Sequence, residues 1–231
     1  MKNGQRHRLN YLATLLWLIP VWGLLAQNSV SSPYGKFTIA RLHYDGGGDW
    51  YSDPGSLPNL LEFLEEQDLV RCQKEEARVR IMDKEFFSYP YLYITGHGNM
   101  RFSEEEILRL RRHLQSGGFL HADDNYGMDP SFRREIRRIF PDNELVELPF
   151  DHPIYHIVYP FPEGLPKVHE HDGKLPQGLG IFYHGRLVVF YSYECDLGDG
   201  WEDIEVHGDS PEIHRKALEM GANIVTYSLS Q

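Results

Sequence analysis

Beyond residue 36 the chain alternates between short, dense apolar runs and longer stretches whose apolar residues recur at helical spacing. Residues 37–44 interleave apolar side chains with Thr38 and Arg41 and break at Asp45-Gly46-Gly47-Gly48-Asp49, which predicts a first strand and its terminal loop. Residues 56–59 open a helix with Leu57, Leu60, Leu61 and Leu64 on one face. Residues 70–72 and 79–82 are short edge-type strand candidates. The apolar runs in 91–98 and 117–124 each end abruptly in small and ionisable residues, and the stretch 103–115 between them has the pattern of a helix. Together they predict a β-α-β unit with adjacent parallel strands.

Further along, 130–140 predicts a basic amphipathic helix ending before Pro141, and 145–148 a short strand running into Asp151-His152-Pro153. Residues 180–183 and 186–193, rich in Val, Ile, Phe and Tyr, flank the two-residue turn His184-Gly185 and predict a hairpin. The second arm runs into the acidic segment 194–202. A last helix spans 211–227, with Ile213, Ala217, Met220, Ile224 and Tyr227 as its apolar stripe. Strands alternating with helices over this length predict an α/β fold: a doubly wound, mostly parallel sheet flanked by helices, with the antiparallel hairpin at one edge.

That architecture localises the candidate chemistry. In open parallel sheets ligands bind outside the carboxyl ends of the strands. His97, His121, Asp123 and Asp124 should therefore share one crevice, with Asp45 and Asp151-His152 on its rim. His97 lies between two glycines at a strand end, open to a ligand, although a sharp turn alone would also use that pattern. Adjacent carboxylates at Asp123 and Asp124 repel one another, a cost offset by a cation, a donor cluster or protonation. Asp124 could equally cap the turn that follows. His97 and Asp124 are the candidate catalytic pair; Asp45, His121, Asp123, His152, Glu194 and Trp201 are candidate ligand-binding residues; and Asp123, Asp124 and His121 are the candidate metal set. Such a mixed oxygen and nitrogen set suits a divalent zinc, manganese or iron ion better than calcium. The loop 45–50 lacks a phosphate-binding glycine pattern and carries acidic residues, which argues against a nucleotide. No G-x-S-x-G or G-x-C-x-G elbow occurs, so a nucleophilic serine is not expected.

Charge and the amino terminus change the picture of partners. Lys2, Arg6 and Arg8 precede a charge-free run over 9–26, the pattern of a secretory signal peptide; an apolar run of roughly this length can also stay as an N-terminal anchor. Residues 27–35 form a polar lead-in and 36–231 a single domain. The segment 1–26 holds three of the 23 basic residues and none of the 34 acidic ones, so the remainder carries a formal net charge of −14. Such a surface repels nucleic acid and anionic lipid, leaving a small polar ligand or an envelope protein as partner and the membrane only through an uncleaved N-terminal segment. Export, to the periplasm or cell envelope, would permit a disulfide between Cys72 and Cys195, whose separation the sequence leaves open.

Several ordered motifs carry a resemblance: R-L-H-Y-D-G-G-G-D-W at 41–50, Y-I-T-G-H-G at 93–98, L-R-R-H-L-Q-S-G-G-F-L at 110–120, A-D-D at 122–124, D-H-P-I-Y at 151–155 and G-D-G-W-E at 198–202. Together they resemble a bacterial family known as domain of unknown function 4159. The resemblance implies a flavodoxin-like sandwich related to the class I glutamine amidotransferases. Where those enzymes place a nucleophilic cysteine, this chain has His97 between glycines, and neither cysteine sits where glutamine hydrolysis needs one. The function expected is binding of a small polar ligand, with a metal-dependent hydrolytic step on a carbohydrate or envelope-derived substrate as its finer form. The alternative is a non-catalytic envelope scaffold on an inherited fold.

Overall fold

The computed structural model describes Met1 and residues 35–231. The predicted export segment and nearly all of the lead-in fall on residues 2–34, outside the described residues. No helix among the described residues is long and apolar enough to cross a membrane.

Seven strands form one sheet: β1 (Ala40–Leu42), β2 (Ala77–Val79), β3 (Tyr91–Ile94), β4 (Phe119–Asp123), β5 (Val146–Glu147), β6 (Gln177–Tyr183) and β7 (Arg186–Tyr193). Their spatial order is β2-β1-β3-β4-β7-β6-β5. The first five in that order pair in parallel, while β7-β6 and β6-β5 pair antiparallel. The sheet is thus mixed but mostly parallel, with the hairpin at one edge. The hairpin turn holds His184 and Gly185 at φ +49° and +81°, the doubly left-handed form that matches strand twist.

Helices cover both faces: α1 (Ser56–Glu66), α2 (Glu104–Gln115), α3 (Asp129–Ile139), the short α4 (Leu197–Trp201) and α5 (Ile204–His207), and α6 (Pro211–Ser230). Strand alternation decides which face each residue serves. Tyr91, Tyr93, Phe119 and Phe190 pack with α1, α4 and α6, whereas Leu92, Ile94, Leu120 and Val189 pack with α2 and α3. Because both faces are covered, β3 and β4 are buried along their whole length, which is why β3 reads as an unbroken apolar run and β4 does not alternate in polarity. Ser103 and Glu106 form a reciprocal capping box at the start of α2, fixing where the β3–β4 crossover begins.

The acidic segment 194–202 contains α4. One expectation needs correction. His152 does not reach the carboxyl rim: the chain reverses after β5, and its ring packs against Phe182 and Tyr227, with Phe182 paired to Leu187 near the start of β7. Cys72 and Cys195 are both buried and free, so the disulfide is not formed.

Candidate functional site

The loops after β1, β3, β4 and β7 meet at the carboxyl edge of the sheet, and their polar side chains divide into a structural set and an unsatisfied set. Arg41, fully buried on β1, grips Glu76 with its Nε at 3.0 and 2.9 Å and donates to the carbonyls of Ser52 and Asp53 at 2.8 and 3.0 Å. This fixes the loop that delivers Asp53. Glu202 closes the same region from the other end of the chain, accepting the Gly55 and Ser56 amides at 2.7 and 3.1 Å and so capping α1.

Asp123 and His121 belong to the structural set. Asp123 accepts the amides of Gly198 (2.6 Å) and Leu197 (3.3 Å), the Tyr93 hydroxyl (3.3 Å) and the Ser192 hydroxyl. Burial, and then the nearby Asp196 charge, push its carboxyl up to about 7. His121 is walled by Tyr93, Phe190 and Trp201, with Nδ1 3.1 Å from the Tyr91 hydroxyl and Nε2 2.9 Å from Ser192 Oγ. Both ring nitrogens are partnered with hydroxyls, and burial lowers its pKa to about 3, so it sits neutral in the core. Trp201 is likewise buried, donating its indole N–H to Ala217 at 2.8 Å. The expected crevice positions of His121 and Trp201 are therefore interior ones: a central strand and a helix packed on both sides leave no open face.

His97 is exposed at the rim, where its backbone N–H donates to Asp49 and its Nδ1 lies 3.0 Å from Asp49 Oδ2. Asp45, also exposed, meets Arg80 at 3.3 Å. Glu194 is buried and paired with Lys167 at 3.0 Å. Asp124 is different. It is 2% exposed, and its Oδ1 has no hydrogen-bond partner. Burial, reinforced by the Asp129 charge, raises its carboxyl to about 6.

The unsatisfied set continues into residues the strand-end argument did not single out. His169 Nδ1 lies 3.1 Å from Asp196 Oδ2 and 3.0 Å from Asp199 Oδ2, and its Nε2 3.3 Å from Asp209. His171 Nε2 meets the same Asp196 oxygen at 3.0 Å. His207 Nδ1 lies 3.4 Å from Asp199 and its Nε2 3.8 Å from Asp53. One ligand atom each from His169, Asp199 and His207 falls within 4.8 Å of the other two, close enough for the three to be a candidate metal-binding triad. The second oxygens of Asp196 and Asp199 are buried without partners. Burial and the Asp199 charge raise the pKa of Asp53, while hydrogen bonds to Asp196 and Asp199 push His169 up to about 10. Burial alone would raise Asp196, but hydrogen bonds from His169 and His171 hold it low. Without a metal, then, protons on His169 and His171 hold the carboxylates together, and a cation would displace them.

Backbone strain gathers at the same place. Of the six described non-glycine residues with positive φ, four are Asp53, Tyr126, Glu194 and Asp196, at +52°, +66°, +59° and +63°. Each such conformation costs on the order of 1–2 kcal/mol, and these concentrate where function does. The sequence signal for the missed residues was thin. His169-Glu170-His171 lies in a long irregular stretch with no apolar period, and only its H-x-H spacing stands out.

The sequence matches the family described as Domain of unknown function (DUF4159) over residues 38–229, almost the whole described part of the chain. No curated protein matches it.

Proposed function

The chain belongs to the DUF4159 family, and on that premise we propose that this domain binds a divalent metal through His169, Asp199 and His207, and through that metal a small polar ligand. The observation that carries the reading is the convergence of the three ligand atoms within 4.8 Å, beside carboxylate oxygens of Asp196 and Asp199 that are buried and unpartnered. A buried carboxylate oxygen without a donor is costly, and a cation removes that cost. Two imidazoles and one carboxylate suit zinc, manganese or iron, and three protein ligands leave coordination positions for water and substrate. Asp209, 3.3 Å from His169 Nε2, would accept the one N–H of an imidazole that ligates through Nδ1, orienting the ring and raising its basicity.

Bound in this way, a metal makes water nucleophilic near neutral pH, so the finer form of the proposal is a hydrolytic step on a carbohydrate or envelope-derived substrate in an exported protein. Melting curves with zinc, manganese and ferrous ions test the core reading. The midpoint should rise near pH 7, rise less near pH 5 because a ligating histidine must lose its proton, and stay unchanged in His207→Ala. Wild-type protein that no metal stabilises at either pH would make the fold a non-catalytic scaffold instead.

A further inference from the structure

The three members of the metal triad are not held alike. His169 follows Val168, a core residue whose backbone N–H donates to the Cys195 carbonyl at 3.0 Å. Asp199 sits in α4 between Leu197 and Trp201, both fully buried. His207 ends α5, which has no buried residue. Val206 is 59% exposed, and neither it nor Ile204 belongs to the hydrophobic core on either face of the sheet. Two ligands are therefore fixed by the core, and the third rides on a segment that the core does not hold.

That segment has firm ends. On one side Glu202 is buried and accepts the Gly55 and Ser56 amides at 2.7 and 3.1 Å. On the other, Ser210 caps α6, its Oγ accepting the Ile213 amide at 3.2 Å. Between them Asp203 accepts from Asn59 Nδ2 at 3.1 Å on the exposed surface. Past Asp203, the side-chain hydrogen bonds and ion pairs of the segment, among the described residues, all run to the metal cluster. His207 Nδ1 lies 3.4 Å from Asp199 and its Nε2 3.8 Å from Asp53, and Asp209 lies 3.3 Å from His169 Nε2. Gly208 leaves α5 at φ +76°, a left-handed conformation that glycine adopts without strain, and nothing stands within 4 Å of where a Cβ would be. The chain is free to turn there.

We propose that residues 203–209 form a lid that the metal fastens. With His207 coordinated, the segment closes as one wall of the triad; when the metal leaves, it opens between its anchors at Glu202 and Ser210 and uncovers His169 and Asp199. Partly exposed polar contacts hold such a segment only weakly, whereas a metal that binds the closed arrangement alone stabilises it by mass action. The inference rests on the metal-site reading and adds to it the path by which the metal and its ligand enter.

Hydrogen–deuterium exchange read by mass spectrometry tests it, on the full chain stripped with EDTA and then saturated with zinc, with bound zinc measured on the same samples. Peptides covering 203–209 should exchange quickly without zinc and at least about tenfold more slowly with it, while residues 217–225 of α6 stay equally protected in both. In His207→Ala, a change on the exposed segment, α6 should keep its protection and 203–209 should exchange quickly in either condition. Zinc that binds while 203–209 exchange unchanged overturns the lid alone and leaves the metal centre standing. A segment already slow without zinc, or slowed by zinc in His207→Ala, also overturns the lid. A wild-type chain that binds no zinc overturns both readings.

Discussion

Asp123 and Gly198 are joined by a 2.6 Å hydrogen bond from the Gly198 amide, which clamps the end of the central strand β4 to the start of α4. A carboxylate that reads in sequence as half of an acidic pair aimed at a ligand is thus spent on the fold. Its two oxygens take the Leu197 and Gly198 amides and the Tyr93 and Ser192 hydroxyls.

Replacing Asp123 should therefore cost stability, whatever happens to ligand binding. In Asp123→Asn the new NH₂ must face either the Leu197 or the Gly198 N–H, so one buried donor loses its acceptor in either orientation. The expected loss is about 2 kcal/mol or more, and Asp123→Ala should lose at least as much. Urea unfolding of the two variants checks this; wild-type stability in Asp123→Asn would contradict the clamp.

This residue also marks the limit of what the chain's pattern reveals. The alternation of strands and helices was legible because both periods are set by burial, and the β-α-β unit around α2 and the hairpin at the edge follow from it directly. The face of a side chain at the end of a fully buried strand was not legible. Phe119-Leu120-His121-Ala122-Asp123 is buried on both sides of the sheet, so polarity does not alternate and gives no sign that His121 turns toward Trp201 rather than toward solvent. Asp124, one residue past the strand, did fall in the cluster with unpaired atoms. His169, His171 and His207 were not legible as site residues, because the stretch that carries the first two has no period and only tertiary contacts bring them to Asp196 and Asp199.

His121 makes a pH-dependent contribution with a definite sign. Burial lowers its folded pKa from 6.5 to about 3, so the folded state favours the neutral ring. Its stabilising effect is complete above the unfolded pKa of 6.5 and is lost as pH falls toward 3. The stability advantage of wild type over His121→Phe should shrink by about 2 to 3 kcal/mol between pH 6.5 and 4.5. Denaturant unfolding of both proteins across that range measures it, and a constant difference would show that the ring titrates normally.

Glu202 and Gly55 form a coupled pair. A Cβ on Gly55 would fall 2.5 Å from Glu202 Oε2, while Glu202 Oε1 caps the Gly55 and Ser56 amides. Gly55 has an ordinary helical φ of −85°, so alanine there is harmful through Glu202 and not through the backbone. Glu202→Ala should cost about 1–2 kcal/mol through loss of the cap, and Gly55→Ala should cost much less in that background than in wild type. Additive effects in the double-mutant cycle would show that the two residues act separately.

The central claim is that His169, Asp199 and His207 hold a metal. Anomalous diffraction from crystals soaked in zinc, recorded on both sides of the zinc absorption edge, tests it most directly. The account predicts one strong peak within coordination distance of His169, Asp199 and His207, absent from crystals of His207→Ala. A peak beside Asp45 or Asp151 instead, or no peak at the triad in the wild-type crystal, would contradict it.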